Sequence, residues 1–81
     1  MPSYFVEIYA PGESDVADLA ARARRAAHGE VRYLGSYFVP ADETCFHLFE
    51  GPSAEAVREL SERARLEAAR VVEAFEEAPK G

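Results

Sequence analysis

The sequence predicts a single α+β domain in which a four-stranded antiparallel sheet carries two helices on one face. Three observations support this class. Short runs rich in β-branched and aromatic residues alternate with longer, alanine-rich runs of helical period. Pro and Gly separate the runs, and short polar residues that can cap a helix precede each helical run. The chain has 81 residues, which is enough for one hydrophobic core, so we expect a single domain over residues 1–81.

The first half of the chain predicts a strand, a helix and a second strand. Residues 4–9 alternate as a strand and are followed by Pro and Gly. Ser14 or Asp15 can cap the helix that follows, because a short side-chain oxygen accepts a backbone N–H at the helix start. Gly29 is placed to stop that helix just after its last residues. The next strand is predicted over residues 31–39.

The second half predicts a hairpin followed by a second helix. Residues 40–42 form a short turn, so strands 31–39 and 44–50 should pair in antiparallel fashion. Gly51 and Pro52 end the hairpin, and Ser53 can cap the helix behind them.

Segment 66–78 leaves two alternatives open. It contains no Gly or Pro, so the second helix could run on through it. Alternatively, Val71, Val72 and Phe75 mark a short final strand. The strand completes the order β-α-β-β-α-β of a ferredoxin-like sandwich, which is the fold that we predict, with a loose tail from about residue 76.

Two helices cover only one face of such a sheet. By alternation, the covered face should hold apolar side chains: Val6, Ile8, Leu34, Phe38, Phe46 and Leu48. The uncovered face should hold a mostly aromatic set with one acid, one thiol and one imidazole: Phe5, Glu7, Tyr9, Tyr33, Tyr37, Cys45, His47 and Phe49. The phase of the second strand stays open, because a shift of one residue would invert it.

An uncovered face this apolar is unfavourable in water, so we expect a second copy of the chain to cover it. Two such sheets packed face to face form a homodimeric α/β barrel. Glu7 and His47 are the candidate metal ligands in its cleft, since carboxylate and imidazole both bind divalent transition metals. The other six members of the set line the cleft and could hold a small aromatic or apolar ligand. A hydrogen bond between Glu7 and His47 is the purely structural alternative.

Composition excludes several classes of function. The net charge of −6 argues against a nucleic-acid partner, which would require a basic face. No apolar run approaches the roughly 20 residues of a membrane span, and the N-terminal residues lack the features of a signal peptide. A single cysteine cannot form an internal disulfide, so we expect a soluble, cytoplasmic protein.

Catalytic motifs are absent from the sequence. It contains no nucleophilic triad, phosphate-binding loop or organic-cofactor motif, so we expect a binding protein rather than an enzyme. The alternative is a dimeric α/β barrel that binds, or acts on, a small molecule in its aromatic cleft, as monooxygenases and isomerases of this architecture do.

The stretch "SYFVPADETCFHLFEGPSAEAVREL" resembles a family of small, single-domain actinobacterial proteins of formerly unknown function. One member of that family is a nickel-binding protein with a dimeric ferredoxin-like fold. Ser36 and Tyr37 match its Ser-Tyr pair, Asp42 matches its turn acid, and Glu50 matches its acid before a small residue and Pro. Glu7 matches the acid of its first strand. The resemblance implies a homodimer that binds nickel or a similar divalent metal.

Three departures from the family pattern bear on that implication. Gly35 stands where many members have His, and His47 stands where many have Cys. Segment 65–67 replaces a frequent Gly-Leu-Pro. A metal site that used the missing His would not be inherited intact, so the resemblance supports the fold more strongly than nickel binding. The resemblance also favours a final strand near residues 70–75.

Overall fold

The computed structural model describes residues 1–75 and 77. Within them the elements follow in the order β1 (Ser3–Tyr9), α1 (Val16–Ala26), β2 (Arg32–Val39), a 3-10 turn (Pro40–Asp42), β3 (Thr44–Glu50), α2 (Ala54–Arg63) and β4 (Ala68–Ala74). The strands form one antiparallel sheet in the order β2-β3-β1-β4. The predicted ferredoxin-like architecture is therefore confirmed.

Both helices begin at the residues that the sequence marks as caps. The Asp15 side chain accepts a hydrogen bond from the backbone N–H of Asp18 at 3.1 Å. The Ser53 side chain accepts one from the backbone N–H of Ala56, also at 3.1 Å. The end of α1 differs from the prediction. The helix ends at Ala26, because Ala27 is already extended, and Gly29 lies in the turn beyond with φ 65°.

The turn after α2 prevents that helix from continuing. The N–H of Arg65 donates to the carbonyl of Glu62 at 3.1 Å, and the N–H of Leu66 donates to that of Ser61 at 3.0 Å. These two bonds form a Schellman motif, whose left-handed position is usually a glycine. Here it is Arg65, with φ 58°. The chain then turns into β4, so the strand predicted in segment 66–78 is confirmed and the helical alternative is wrong.

Arg65→Gly is expected to raise the free energy of unfolding by about 0.5–1 kcal/mol. A residue with a Cβ is strained in the left-handed region by about 1–2 kcal/mol, and the greater freedom of glycine in the unfolded chain offsets part of the gain. Urea unfolding measures the change. Arg63→Gly, in the last position of α2, is the matched control and should lose about 1 kcal/mol instead. Equal losses at both positions would contradict the role of the left-handed turn.

The core lies between the helices and one face of the sheet. In β1 the buried residues are Tyr4, Val6 and Ile8, and in β3 they are Cys45, His47 and Phe49. The register explains this match, since Phe49, His47 and Cys45 lie directly opposite the three β1 residues. Opposed residues of an antiparallel pair point to the same side.

The predicted faces are therefore confirmed for β1 and wrong for β3. Phe46 and Leu48, expected in the core, lie opposite Glu7 and Phe5 on the other side of the sheet. The sequence predicts the wrong phase for β3, because both of its alternating sets of residues contain large apolar side chains.

A bulge shifts the alternation of β2. The pairing with β3 skips one residue between Tyr33 and Gly35, so Leu34 is the extra residue. As a result Tyr33 and Phe38 both pack against the core. In a regular strand, residues an odd number of positions apart would point to opposite faces. Tyr37 stays on the other face, and Leu34 is 43% exposed. The predicted positions of Tyr37 and Phe38 are confirmed, and those of Tyr33 and Leu34 are wrong.

The tail predicted from about residue 76 lies outside the described residues, apart from Glu77, which is exposed. In residues 1–75 and 77, neither helix is long and apolar enough to cross a membrane.

Candidate functional site

Within residues 1–75 and 77, one face of the sheet carries no helix. We refer to it as the uncovered face, and its central residues are Phe5, Glu7, Tyr9, Leu34, Gly35, Tyr37, Phe46, Leu48, Arg70 and Val72. Phe5 lies at its centre, and its ring is edge-on to two other rings. The distance between ring centroids is 5.5 Å to Phe46 and 6.1 Å to Tyr37. Tyr37 remains 54% exposed and Tyr9 67% exposed. The surface is therefore an apolar, aromatic patch open to solvent.

An ion pair interrupts the apolar surface. Arg70 of β4 lies opposite Glu7 of β1, and its Nε donates to the Glu7 carboxylate at 2.8 Å. The Glu7 side chain is 18% exposed and that of Arg70 is 67% exposed, so the arginine lies over the carboxylate from the solvent side. The pair satisfies a carboxylate that apolar neighbours would otherwise leave poorly solvated.

His47 lies on the opposite side of the sheet, under the helices. It has no exposed surface, and its Nδ1 shares a 2.7 Å hydrogen bond with Ser36 Oγ. Ser36 Oγ shares a second hydrogen bond, of 2.6 Å, with the Tyr33 hydroxyl. Burial lowers the pKa of His47 to about 4, because desolvation penalises the charged imidazolium. At neutral pH the ring is uncharged and hydrogen-bonded within the core.

Cys45 lies beside His47 in the same core. Its Sγ is 4.0 Å from both ring nitrogens, which is the outer limit of a contact to sulfur. Burial raises the pKa of the Cys45 thiol, so the side chain stays protonated. A buried thiol of this kind behaves as a small apolar side chain rather than as a nucleophile.

The prediction that Glu7 and His47 share one face of the sheet is wrong. The β1 residue opposite His47 is Val6, and Glu7 points to the other side of the sheet. Of the predicted cleft-lining residues, Phe5, Tyr9 and Tyr37 lie on the uncovered face. The others are on the helix side, where they contribute to the core: Tyr33, Cys45 and Phe49.

Phe46, Leu48 and Arg70 are among the members of the uncovered face that the sequence interpretation missed. A signal for the first two was present. They share their phase with Thr44 and Glu50, whose polar side chains are typical of a face that meets water. Arg70 carried no comparable signal, because its place opposite Glu7 depends on how β4 pairs with β1.

A nickel site needs several converging donors. In the part of the chain that the structure describes, no three side chains of His, Cys, Asp or Glu come together to hold a metal ion. His47 is engaged in the core, and Glu7 is paired with Arg70 on the other face. The donors that the structure describes in one chain therefore do not fit a complete nickel site.

A cavity of about 330 Å³ opens on the uncovered face near the end of β4. Its walls are Ser3, Phe5, Leu34, Tyr37, Leu48, Ala74 and Phe75. Five of these side chains are hydrocarbon and two carry a hydroxyl, so the cavity is apolar with two polar positions.

Comparison with known proteins agrees with the fold and with the resemblance in the sequence. The model of a family described as "Nickel responsive protein SCO4226-like" matches residues 4–74. The fold is similar to the crystal structure of SCO4226 from Streptomyces coelicolor A3(2), with a TM-score of 0.71. The two sequences are 30% identical, and the match covers 94% of this chain and 99% of that chain. Among curated proteins, none matches this sequence. Because the family match spans nearly all of the described residues, the chain belongs to the SCO4226-like family of nickel-responsive proteins.

Proposed function

We propose that this protein acts as a homodimer in a response to nickel, and that the uncovered faces of two copies pack together. The uncovered face carries the proposal, because it exposes aromatic side chains that water solvates poorly. A small domain gains stability by burying such a face against its own copy. The family description supports the link to nickel.

The metal would then bind between the subunits rather than within one. Every residue of a two-fold interface is present twice, so Glu7 would supply two carboxylates across it. Glu7 is the carboxylate at the centre of the uncovered face, and Arg70 would have to release it for a metal to bind. His47 is not part of this proposal, since it lies behind the sheet.

Phe46→Glu is expected to convert the dimer into a monomer. The change places a carboxylate beside Phe5 in the middle of the interface, where an unpaired buried charge costs several kcal/mol. Sedimentation velocity over a range of concentrations measures the association. Arg25→Glu, on the exposed surface of α1, is the control and should remain dimeric. An unmodified protein that sediments as a monomer throughout would overturn the proposal.

Nickel binding is tested by calorimetric titration of the same proteins. We expect one nickel ion per dimer, with binding lost in Glu7→Gln and in Phe46→Glu. Glu43→Gln, at the turn before β3, is the matched control and should bind as the unmodified protein does. Retention of binding by the Phe46→Glu monomer would contradict a site between subunits. A dimer that takes up no nickel would refute the metal site and leave the dimer standing.

A further inference from the structure

We infer that the cavity on the uncovered face binds a small, planar, uncharged molecule with one hydrogen-bonding group. The inference goes beyond a response to nickel and names a second kind of ligand. It rests on the proposed dimer in one respect, since the facing subunit would roof the cavity.

The size and chemistry of the cavity suit such a ligand. Its volume of about 330 Å³ lies at the lower end of the range for small-molecule sites, roughly 300–1,000 Å³. Ligand sites are mostly apolar with a few placed polar groups. Here Phe5, Leu34 and Leu48 supply apolar wall, and Ser3 and Tyr37 supply the hydroxyls.

Gly35 adjoins residues that line this cavity. It lies between two wall residues, Leu34 and Tyr37, and directly opposite a third, Leu48. A Cβ built on Gly35 would meet only the Tyr37 hydroxyl, at 3.8 Å, so a side chain could be accommodated there. Because Gly35 shares a face of the sheet with Tyr37 and Leu48, a large side chain at this position would project toward the cavity.

The walls indicate the class of ligand. Among the described residues that line the cavity none is charged, although 30% of the chain is Asp, Glu, Lys or Arg. A charged ligand would lose its solvation there without gaining a partner. The rings of Phe5 and Tyr37 stand at 84° to each other, so they present a face and an edge to a planar guest. The Tyr37 hydroxyl can donate or accept one hydrogen bond.

The experiment uses 2-naphthol as the probe, with naphthalene and 2-naphthoate as comparisons. Titration of the full-length protein is followed by tyrosine fluorescence and by NMR shifts of Phe5 and Leu48. We expect saturable binding of one 2-naphthol per chain, weaker binding of naphthalene, and the weakest binding of the charged naphthoate. Uniform, non-saturating shifts with all three compounds would overturn the inference.

Variants locate the binding in the cavity. Gly35→Leu should place its side chain in the cavity and weaken 2-naphthol binding at least about tenfold. Gly12→Leu is the matched control, because a Cβ at Gly12 meets nothing within 4 Å, and its affinity should not change. Tyr37→Phe keeps the volume and should weaken 2-naphthol about fivefold but leave naphthalene unchanged. Equal affinity of the unmodified protein and Gly35→Leu would refute the site.

Sedimentation of each protein separates this inference from the proposed function. A dimer that does not bind 2-naphthol overturns the ligand site and leaves the proposed dimer intact. A monomer that binds 2-naphthol, with the same dependence on Gly35, overturns the dimer and supports the cavity. Since the NMR shifts are read on the unmodified protein, the inference remains testable even if Gly35→Leu does not fold.

Discussion

Phe49→Ala is expected to lower the free energy of unfolding by about 3–5 kcal/mol, the usual cost of truncating a buried phenylalanine. Phe49 has no exposed surface, and its ring packs edge-on against Tyr33 with the centroids 5.8 Å apart. It also lies opposite Tyr4, which is buried as well. The neighbouring strands and helices hold this region in place, so truncation leaves a cavity that they cannot readily close.

Phe46→Ala is the matched control on the same strand. Phe46 lies on the uncovered face, where a smaller side chain exposes its neighbours instead of creating a closed cavity. We expect a loss of about 1 kcal/mol, measured by urea unfolding at protein concentrations low enough to dissociate the proposed dimer. A loss at Phe46 as large as that at Phe49 would contradict the phase of β3 in the structure.

The order and type of the elements could be predicted because their signals are local. Asp15 and Ser53 cap helices through their own side chains, and Pro and Gly end strands wherever they occur. Even the choice between strand and helix in segment 66–78 depended on one turn, at Arg65 and Leu66. The sequence left that choice open because a left-handed arginine is uncommon.

The faces of the strands could not all be predicted, because alternation gives a period and not a phase. In β3 both alternating sets contain a phenylalanine, so each could fill a core. The pairing of His47 with Val6 decides between them, and this pairing joins residues about 40 positions apart in the sequence. In β2 the bulge at Leu34 adds a residue, so no single phase describes the whole strand.

The wrong phase of β3 also affects the predicted metal site. The prediction for Glu7 gives the correct face, whereas the wrong phase of β3 puts His47 on that face as well. The partner that Glu7 has in the structure is Arg70, which is close only because β4 pairs with β1. The structure still has an aromatic surface on this face, because Phe46 and Leu48 lie there in place of the β3 residues that pack in the core.

Acidification from pH 7 to pH 4 is expected to remove about 3 kcal/mol of stability through His47 alone. Burial lowers the pKa of His47 to about 4 in the folded protein, compared with about 6.5 in the unfolded chain. Between these two values the unfolded state binds a proton that the folded state does not. The free energy of unfolding therefore falls by about 1.4 kcal/mol per pH unit as the pH decreases through this window.

The window distinguishes His47 from the other titrating groups. Carboxylates that are ion-paired in a folded protein generally lose their contribution to stability below about pH 5, where they become protonated. The slope between pH 6.5 and 5 should therefore come chiefly from His47. Urea unfolding at several pH values measures this slope. His28→Gln, at the exposed histidine, should keep it, whereas His47→Leu should flatten it because the leucine cannot take up a proton. A slope that persists in His47→Leu would mean that the buried imidazole does not control the acid response.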